Sequence, residues 1–180
     1  MVLSTVKEVR APGGSRSHFV PRSRVVLLKG YGPEGFDFFT NGMSDKGREL
    51  AATPCAALVF WWEALQRQVR VEGCVSPLPQ AAAQAYFASR PRDSQLGAHA
   101  SAQSSELRGG RRELEESFQA ARRTFEGQAH VPKPEHWGGY RVTPKRVEFW
   151  QGREGRLHDR LVYERSGLEG GEWSLKRLAP

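Results

Sequence analysis

The chain has 180 residues, of which 38% are hydrophobic and five are tryptophan, and a formal net charge of +7. That length and apolar content specify one folded domain with a sizeable core rather than a disordered chain. The cationic excess favours phosphate-bearing partners, whether nucleic acid or small phosphorylated ligands. No apolar run approaches a membrane span, and the opening MVLSTVKEVR has no signal-peptide pattern, so a cytoplasmic protein without membrane association is expected.

In chain order, KEVRAPGGSRSHFVPRS (7–23) is rich in Gly, Pro, Ser and Arg, and its composition predicts a long mobile loop between two strands. A basic arm for nucleic acid there is disfavoured, because aromatic interleaving and any recognised nucleic-acid motif are lacking. RVVLLKG (24–30) and GFDFFTN (35–41) flank the turn-like YGPE and predict a hairpin. SDKGRELAAT (44–53) predicts a short helix capped by Ser44. CAALVFWW (55–62) predicts a strand buried on both faces, and RQVRVEGCV (67–75) an alternating one. Cys55 and Cys74 lie in these two runs without metal-ligand spacing, which predicts core thiols in a reducing compartment and no metal site.

PQAAAQAYFASR (79–90) predicts a helix that stops before Pro91. RRELEESFQAARRTFEG (111–127) places Leu114, Phe118, Ala121 and Phe125 on one helical stripe. GGYRVTP, RVEFWQG and DRLVYER follow as three short strands separated by turn chemistry. Many short strands with a few helices indicate an α+β, mainly β protein: an antiparallel barrel with flanking helices.

Three constellations carry chemical interest. On an alternating strand Gln68, Arg70 and Glu72 share a face, which a merely solvated strand would also show. Tyr86 and Arg90 stand at i and i+4, with Ser94 in the turn after Pro91. Hydroxyls and a guanidinium near a helix end suit a phosphate monoester; a packed Tyr beside a surface Arg is the bland alternative. In WQGREGRLHDR an extended chain would put Arg156, His158 and Arg160 on one face, two cations flanking an imidazole. A charged hairpin turn explains the same residues without a ligand.

Taken together, RVVLLKGYGPEGFDFFTN, RQVRVEG, YFASRPRDSQLGA, QSS, WGGYRVTP, EFWQGREGRLHDR and the terminal LKRLAP resemble the pyridoxamine 5′-phosphate oxidase family. These are FMN-dependent enzymes of vitamin B6 synthesis and salvage. The resemblance runs in order from Arg24 to Pro180 and implies a flavin-binding split β-barrel, a homodimer with FMN at the subunit interface. It implies oxidation of pyridoxamine and pyridoxine 5′-phosphates to pyridoxal 5′-phosphate, with FMN accepting hydride and O2 reoxidising it. By that resemblance Arg24, Val25, Val26, Leu27, Phe39, Thr40, Lys46, Gln68, Arg70, Gln103, Ser104, Trp150 and Arg160 would contact FMN. Lys29, Tyr86, Arg90 and Ser94 would hold the substrate phosphate, and Arg156, Leu157 and His158 the rest of the substrate, with Arg156 and His158 in the catalytic positions. The competing readings are a catalytically weak or inactive relative that keeps the FMN or B6-phosphate pocket, and a flavin enzyme with another substrate.

The chain also departs from the family pattern. Ser-Arg-Lys is usual after Thr-Asn, whereas here Asp45 stands where a phosphate-binding arginine is expected. The family's N-terminal segment, with a helix that helps cover the active site, would precede Met1. Residues 7–23 form a longer first connection than usual.

Overall fold

Paired strands account for most of the backbone order in the computed structural model, which describes residues 1–10, 17–167 and 171–180. Strands β1 (Val2–Arg10), β2 (Ser17–Val25), β3 (Gly30–Gly32) and β4 (Gly35–Asn41) precede helix α1 (Asp45–Ala52). After β5 (Cys55–Trp62) and β6 (Arg67–Pro77) come three helices, α2 (Gln80–Ala88), α3 (Arg92–Ala100) and α4 (Gly110–Thr124). The chain returns to strand in β7 (Trp137–Gln151), β8 (Asp159–Arg165) and β9 (Trp173–Arg177). Among the described residues these nine strands form one sheet in the order β2-β1-β5-β6-β7-β4-β3, with β8 and β9 added to β7. The β1–β2, β1–β5, β3–β4, β5–β6, β7–β8 and β8–β9 pairs are antiparallel.

The chain divides into two compact units, the first comprising Met1–Phe38, Glu49–Ser76 and Arg141–Pro180, the second Phe39–Arg48 and Pro77–Tyr140. In the first, alternation does the sorting. Leu3 and Thr5 of β1 are buried, and Leu58 faces Val71 across β5–β6 with both fully buried. Two glycines let strands approach closely. A Cβ on Gly73 would lie 2.1 Å from the Thr143 carbonyl oxygen, and one on Gly35, which also has φ +146°, 2.3 Å from that of Val142. In the second unit Phe87, Leu96, Val131 and Trp137 form a buried cluster, against which Phe39, Tyr86, Phe118 and Phe125 pack.

Several expectations need correction. Residues 7–10 and 17–23 are strand, with Lys7 opposite Val20 and Arg10 opposite Ser17; residues 11–16 of the expected loop lie outside the described ones. The polar composition misled because β2 ends the sheet order and is open to solvent, where Pro21 costs no ladder partner on the outer side. Residues 26–29 belong to no strand, so the hairpin is only β3–β4. Strand β5 is not buried on both faces, since Trp61 and Trp62 remain 52% and 45% exposed. Cys55 is exposed and Cys74 half-buried, so neither is a core thiol. GGYRVTP and RVEFWQG are one continuous strand, β7, passing straight through Pro144. Helix α3 was not expected: Pro91 precedes its first turn, and Ser94 lies in that turn, its N–H bonded to the Pro91 carbonyl at 2.9 Å.

Candidate active site

Within the second unit, two groups of predicted residues come together. The first surrounds the start of α1. The Ser44 hydroxyl donates to the Asn41 carbonyl at 2.6 Å and accepts the Gly47 N–H at 3.3 Å, the cap its sequence position predicts. Capping fixes the turn from which Lys46 folds back. Its buried ammonium lies 3.2 Å from Thr40 Oγ1, 3.3 Å from Gln103 Oε1 and 3.4 Å from Ser44 Oγ. Ser104 Oγ accepts the Asp45 N–H at 3.1 Å. Thr40, Lys46, Gln103 and Ser104 are therefore one cluster: an ammonium, two hydroxyls and an amide beside helix N–H groups, a donor set that suits a phosphate. The Asp45 carboxylate turns to Arg48 at 2.8 Å, in an exposed pair.

The second group is aromatic. Phe39 stacks on Tyr86 with ring centroids 4.2 Å apart and on Trp137 at 5.4 Å. Arg90 lays its guanidinium over the Trp137 ring at 5.0 Å and the Phe87 ring at 5.5 Å. One of its terminal nitrogens is buried with no hydrogen-bond partner among the described residues. Burial lowers the Arg90 pKa from its ordinary value, and Tyr86 opposes the shift; the side chain stays cationic at neutral pH. A half-buried cation with an unsatisfied donor, packed on an aromatic wall, suits an anionic partner. Ser94 stands four residues further on, half-buried. Trp137 opens the WGGYRVTP segment, yet nothing in its spacing marks it as the wall on which Arg90 rests.

The first unit holds the remaining predicted residues. Arg24 reaches Glu49 at 2.9 Å and also Thr5, with Glu49 buried. Val25, the last residue of β2, and Leu27 beyond it are 76% and 68% exposed, while the Val26 N–H is bonded to the Met1 carbonyl at 3.0 Å. The Lys29 N–H donates to the Asp37 carbonyl at 2.9 Å and the residue is exposed. Gln68 and Trp150 line a cavity of about 540 Å3 together with Trp62, Phe149 and Leu161.

Arg70 and Arg160 meet on a residue that the sequence reading did not select, Glu148. Arg160 Nε donates to Glu148 Oε1 at 2.9 Å, Arg146 donates to Oε2 at 2.8 Å, and Arg70 approaches Oε2 at 3.5 Å. Burial pushes the Glu148 carboxyl up, but the hydrogen bonds from Arg160 and Arg146 outweigh it and hold the carboxyl below its usual range. The signal was present as alternation on β7, which puts Glu148 on the face of Arg146 and Trp150.

The single-face reading of Arg156, His158 and Arg160 fails. Residues Glu154–Arg156 form a 3-10 turn with Arg156 at φ 62°, and β8 begins only at Asp159. Gly155 and the charged neighbours favour a turn, which breaks the alternation. The turn has its own order. The His158 ring packs on Trp150 at 4.7 Å, and its Nδ1 accepts the Arg153 N–H at 3.0 Å. The neutral ring therefore carries its hydrogen on Nε2. Asp159 is bonded to Arg153 at 3.0 Å and to Arg177, which hold its carboxyl below the ordinary range. Arg156 and Leu157 are exposed at the turn's tip.

Comparison with known proteins decides the family. The family model described as "Pyridoxamine 5'-phosphate oxidase" matches residues 1–151, and that described as "Pyridoxine 5'-phosphate oxidase C-terminal dimerisation region" matches residues 137–180. The chain belongs to the pyridoxine/pyridoxamine 5′-phosphate oxidase family. A family member from a Nocardioides species is 56% identical over 180 residues, covering 100% of this chain and 78% of that protein. One from Synechocystis is 51% identical over the same length, with the same shares covered. Among solved structures, PhzG from Burkholderia lata 383, in complex with tetrahydrophenazine-1-carboxylic acid, superposes with a TM-score of 0.81 at 28% identity, covering 98% of this chain and 81% of that one. A pyridoxamine 5′-phosphate oxidase-related, FMN-binding protein from Nostoc punctiforme superposes at TM-score 0.71 and 18% identity, covering 99% and 86%, and shares the fold. The fold is thus the mainly β split-barrel class with flanking helices that the resemblance implied, in an oxidoreductase family.

Proposed function

We propose that this protein oxidises pyridoxamine 5′-phosphate and pyridoxine 5′-phosphate to pyridoxal 5′-phosphate, with FMN as cofactor and O2 as final acceptor. In this reading the two units act as one split-barrel domain, and the protein works in the cytoplasm as a homodimer. The observation that carries it is Arg90, whose buried, unsatisfied guanidinium nitrogen sits on the Trp137 face beside Tyr86. A phosphorylated, planar substrate satisfies both features: the phosphate takes the Arg90 donor, and the pyridine ring belongs among aromatic side chains.

The donor set also fits FMN. Thr40, Lys46, Gln103 and Ser104 would hold its phosphate; Gln68, Arg70, Trp150 and Arg160, with the segment 24–27, are the further FMN contacts that the family resemblance implies. FMN, when bound, supplies the hydride acceptor for oxidation at the substrate's C4′ carbon. The protein's own part is to place and polarise the substrate. Arg90, with Tyr86 and Ser94, fixes the phosphate end, for which the family resemblance also implies Lys29. His158 offers Nε2–H to the substrate because Nδ1 is already bonded, and Arg156 helps to orient the substrate. Two electrons pass finally to O2, giving hydrogen peroxide, and the amine substrate leaves its nitrogen as ammonia after hydrolysis.

Steady-state kinetics of Arg90→Met test this reading. A charge-assisted bond to phosphate contributes about 1.5–3 kcal/mol, so KM for pyridoxamine 5′-phosphate should rise by roughly tenfold to a hundredfold with flavin content unchanged. Unphosphorylated pyridoxamine, lacking the partner, should be affected little. An unaltered KM for the phosphorylated substrate would remove Arg90 from the site.

A further inference from the structure

We propose that Cys55 and Cys74 are a reversible oxidative modification site that closes to an intramolecular disulfide. The strand register makes them direct partners, Cys55 opposite Cys74 in the antiparallel β5–β6 pair. The kind of pair follows from the neighbouring bond. Val75 N–H donates to the Pro54 carbonyl at 2.9 Å, so residues 54 and 75 are a hydrogen-bonded pair. Narrow and wide pairs alternate along an antiparallel ladder, which makes Cys55 and Cys74 a non-hydrogen-bonded pair. In such pairs the Cα atoms stand about 4.5 Å apart and the side chains leave the same face close together. A disulfide spans Cα separations of about 4.4–6.8 Å, so the backbone already stands within bridging distance.

Access supports the same conclusion. Both side chains are unbridged thiols; Cys55 is exposed and Cys74 half-buried. Cys55 is the sulfur that meets oxidant, and Cys74 the one that resolves it. With hydrogen peroxide, the Cys55 thiolate breaks the O–O bond, becoming a sulfenic acid and releasing one water after proton uptake. The Cys74 sulfur then displaces the second oxygen as water and forms the S–S bond. Two thiols lose two electrons and two protons, and one peroxide becomes two waters. Directly opposed Cβ atoms on a sheet lie about 4.5–5.5 Å apart and closest in a non-hydrogen-bonded pair, near the upper end of the roughly 3.5–4.5 Å that a bridge spans. A bridge at the exposed Cys55 is open to attack by a reducing thiol, and exposed disulfides are the more readily reduced. The bridge is accordingly of the labile, reversible kind. Neither cysteine belongs to the proposed substrate or flavin contacts, so the inference stands independently of the proposed reaction.

The test is to treat the reduced, full-length protein with hydrogen peroxide, alkylate remaining thiols, and map tryptic peptides without reduction. The expected product has lost both thiols and about 2 Da of mass, and joins the peptide of residues 49–67 to that of residues 71–92. Glutathione should restore both thiols. Cys55→Ser and Cys74→Ser should each abolish the joined peptide, leaving the remaining sulfur as a sulfinic acid or a mixed disulfide. Two alkylatable thiols after treatment, separate oxygen additions on each cysteine in the unsubstituted protein, or bridges between two chains would overturn the proposal. A bridge that glutathione cannot reduce would overturn its reversibility.

Discussion

Arg160 grips Glu148 with two nitrogens, Nε to Oε1 at 2.9 Å and a terminal nitrogen to Oε2 at 3.2 Å. Arg160 was expected as a flavin contact, and Glu148 supplies what orients it. Because Arg146 and Arg70 share the same carboxylate, one buried anion organises three cations. Replacing it by Gln leaves those cations facing one another. For Glu148→Gln we expect about 3 kcal/mol of lost stability, read as a melting temperature lower by roughly 6–12 °C, together with reduced flavin occupancy. Thermal unfolding followed by circular dichroism checks the first effect, and the flavin-to-protein absorbance ratio the second.

The same carboxylate predicts a pH dependence. The Glu148 pKa in the folded protein lies below its ordinary value of about 4.3. A depressed carboxyl contributes stability that is fully present above the unfolded value and lost as pH falls through the folded one. Urea midpoints should therefore be flat from neutrality to about pH 5 and fall steeply across pH 4 and below. The Glu148→Gln protein should show a shallower fall. Equal slopes in both proteins would mean that Glu148 does not carry the acid sensitivity.

The turn between β7 and β8 separates two roles. Arg156→Ala and His158→Ala should lower kcat or raise KM, by about a hundredfold or more for loss of proton handling or of substrate placement, while flavin content stays near normal. Arg160→Ala should instead deplete flavin. Wild-type kinetics and flavin loading in all three variants would displace the assigned site.

Asp45 stands where the resemblance implies a phosphate-binding cation, and its carboxylate is tied to Arg48. Asp45→Arg removes that negative charge from the start of α1, adds a positive one, and releases Arg48 from its partner. We expect tighter FMN binding, by roughly tenfold to a hundredfold if a charge-assisted phosphate bond forms, with the gain shrinking at high salt. Fluorescence-quenching titration of the flavin-depleted protein at two salt concentrations measures it. Unchanged or weaker binding would show that position 45 does not face the phosphate.

Homodimerisation follows from the match of residues 137–180 to a dimerisation region and from exposed apolar side chains such as Trp173 and Leu175 on β9. Sedimentation equilibrium should give twice the chain mass. A stable monomer that retains flavin would contradict it.

How much of this was legible in the sequence depended on how local the signal was. Ser44 as a cap, the alternation of β6 and most of the α4 stripe were readable because each is a short-range pattern: Phe118, Ala121 and Phe125 turn inward, whereas Leu114 stays exposed. Strand β2 was not: open to solvent and holding Pro21, it has a loop's composition, and only its pairing with β1 makes it a strand. The turn at 154–156 escaped for the opposite reason, since one Gly among charges cannot reveal where β8 begins. At the site, Tyr86 and Arg90 could be read as neighbours from their closeness in sequence, although α2 ends at Ala88 and leaves Arg90 beyond the helix rather than on its face. Their dependence on Trp137, some fifty positions away, could not. For Glu148, alternation on β7 showed only that it shares a face with Arg146; its pairing with Arg70 and Arg160 of two other strands carries no periodic signature.

The most direct test of the central claim is a single assay on the purified, FMN-loaded protein. Pyridoxamine 5′-phosphate is added first without oxygen and then with it, while the visible spectrum is followed. The account predicts that the flavin band bleaches without oxygen and returns when oxygen is admitted. Pyridoxal 5′-phosphate and hydrogen peroxide should then appear in equal amounts over many turnovers. A protein that binds FMN and the substrate yet leaves the flavin band unbleached, with no oxygen consumed, would be a binding relative and not the oxidase.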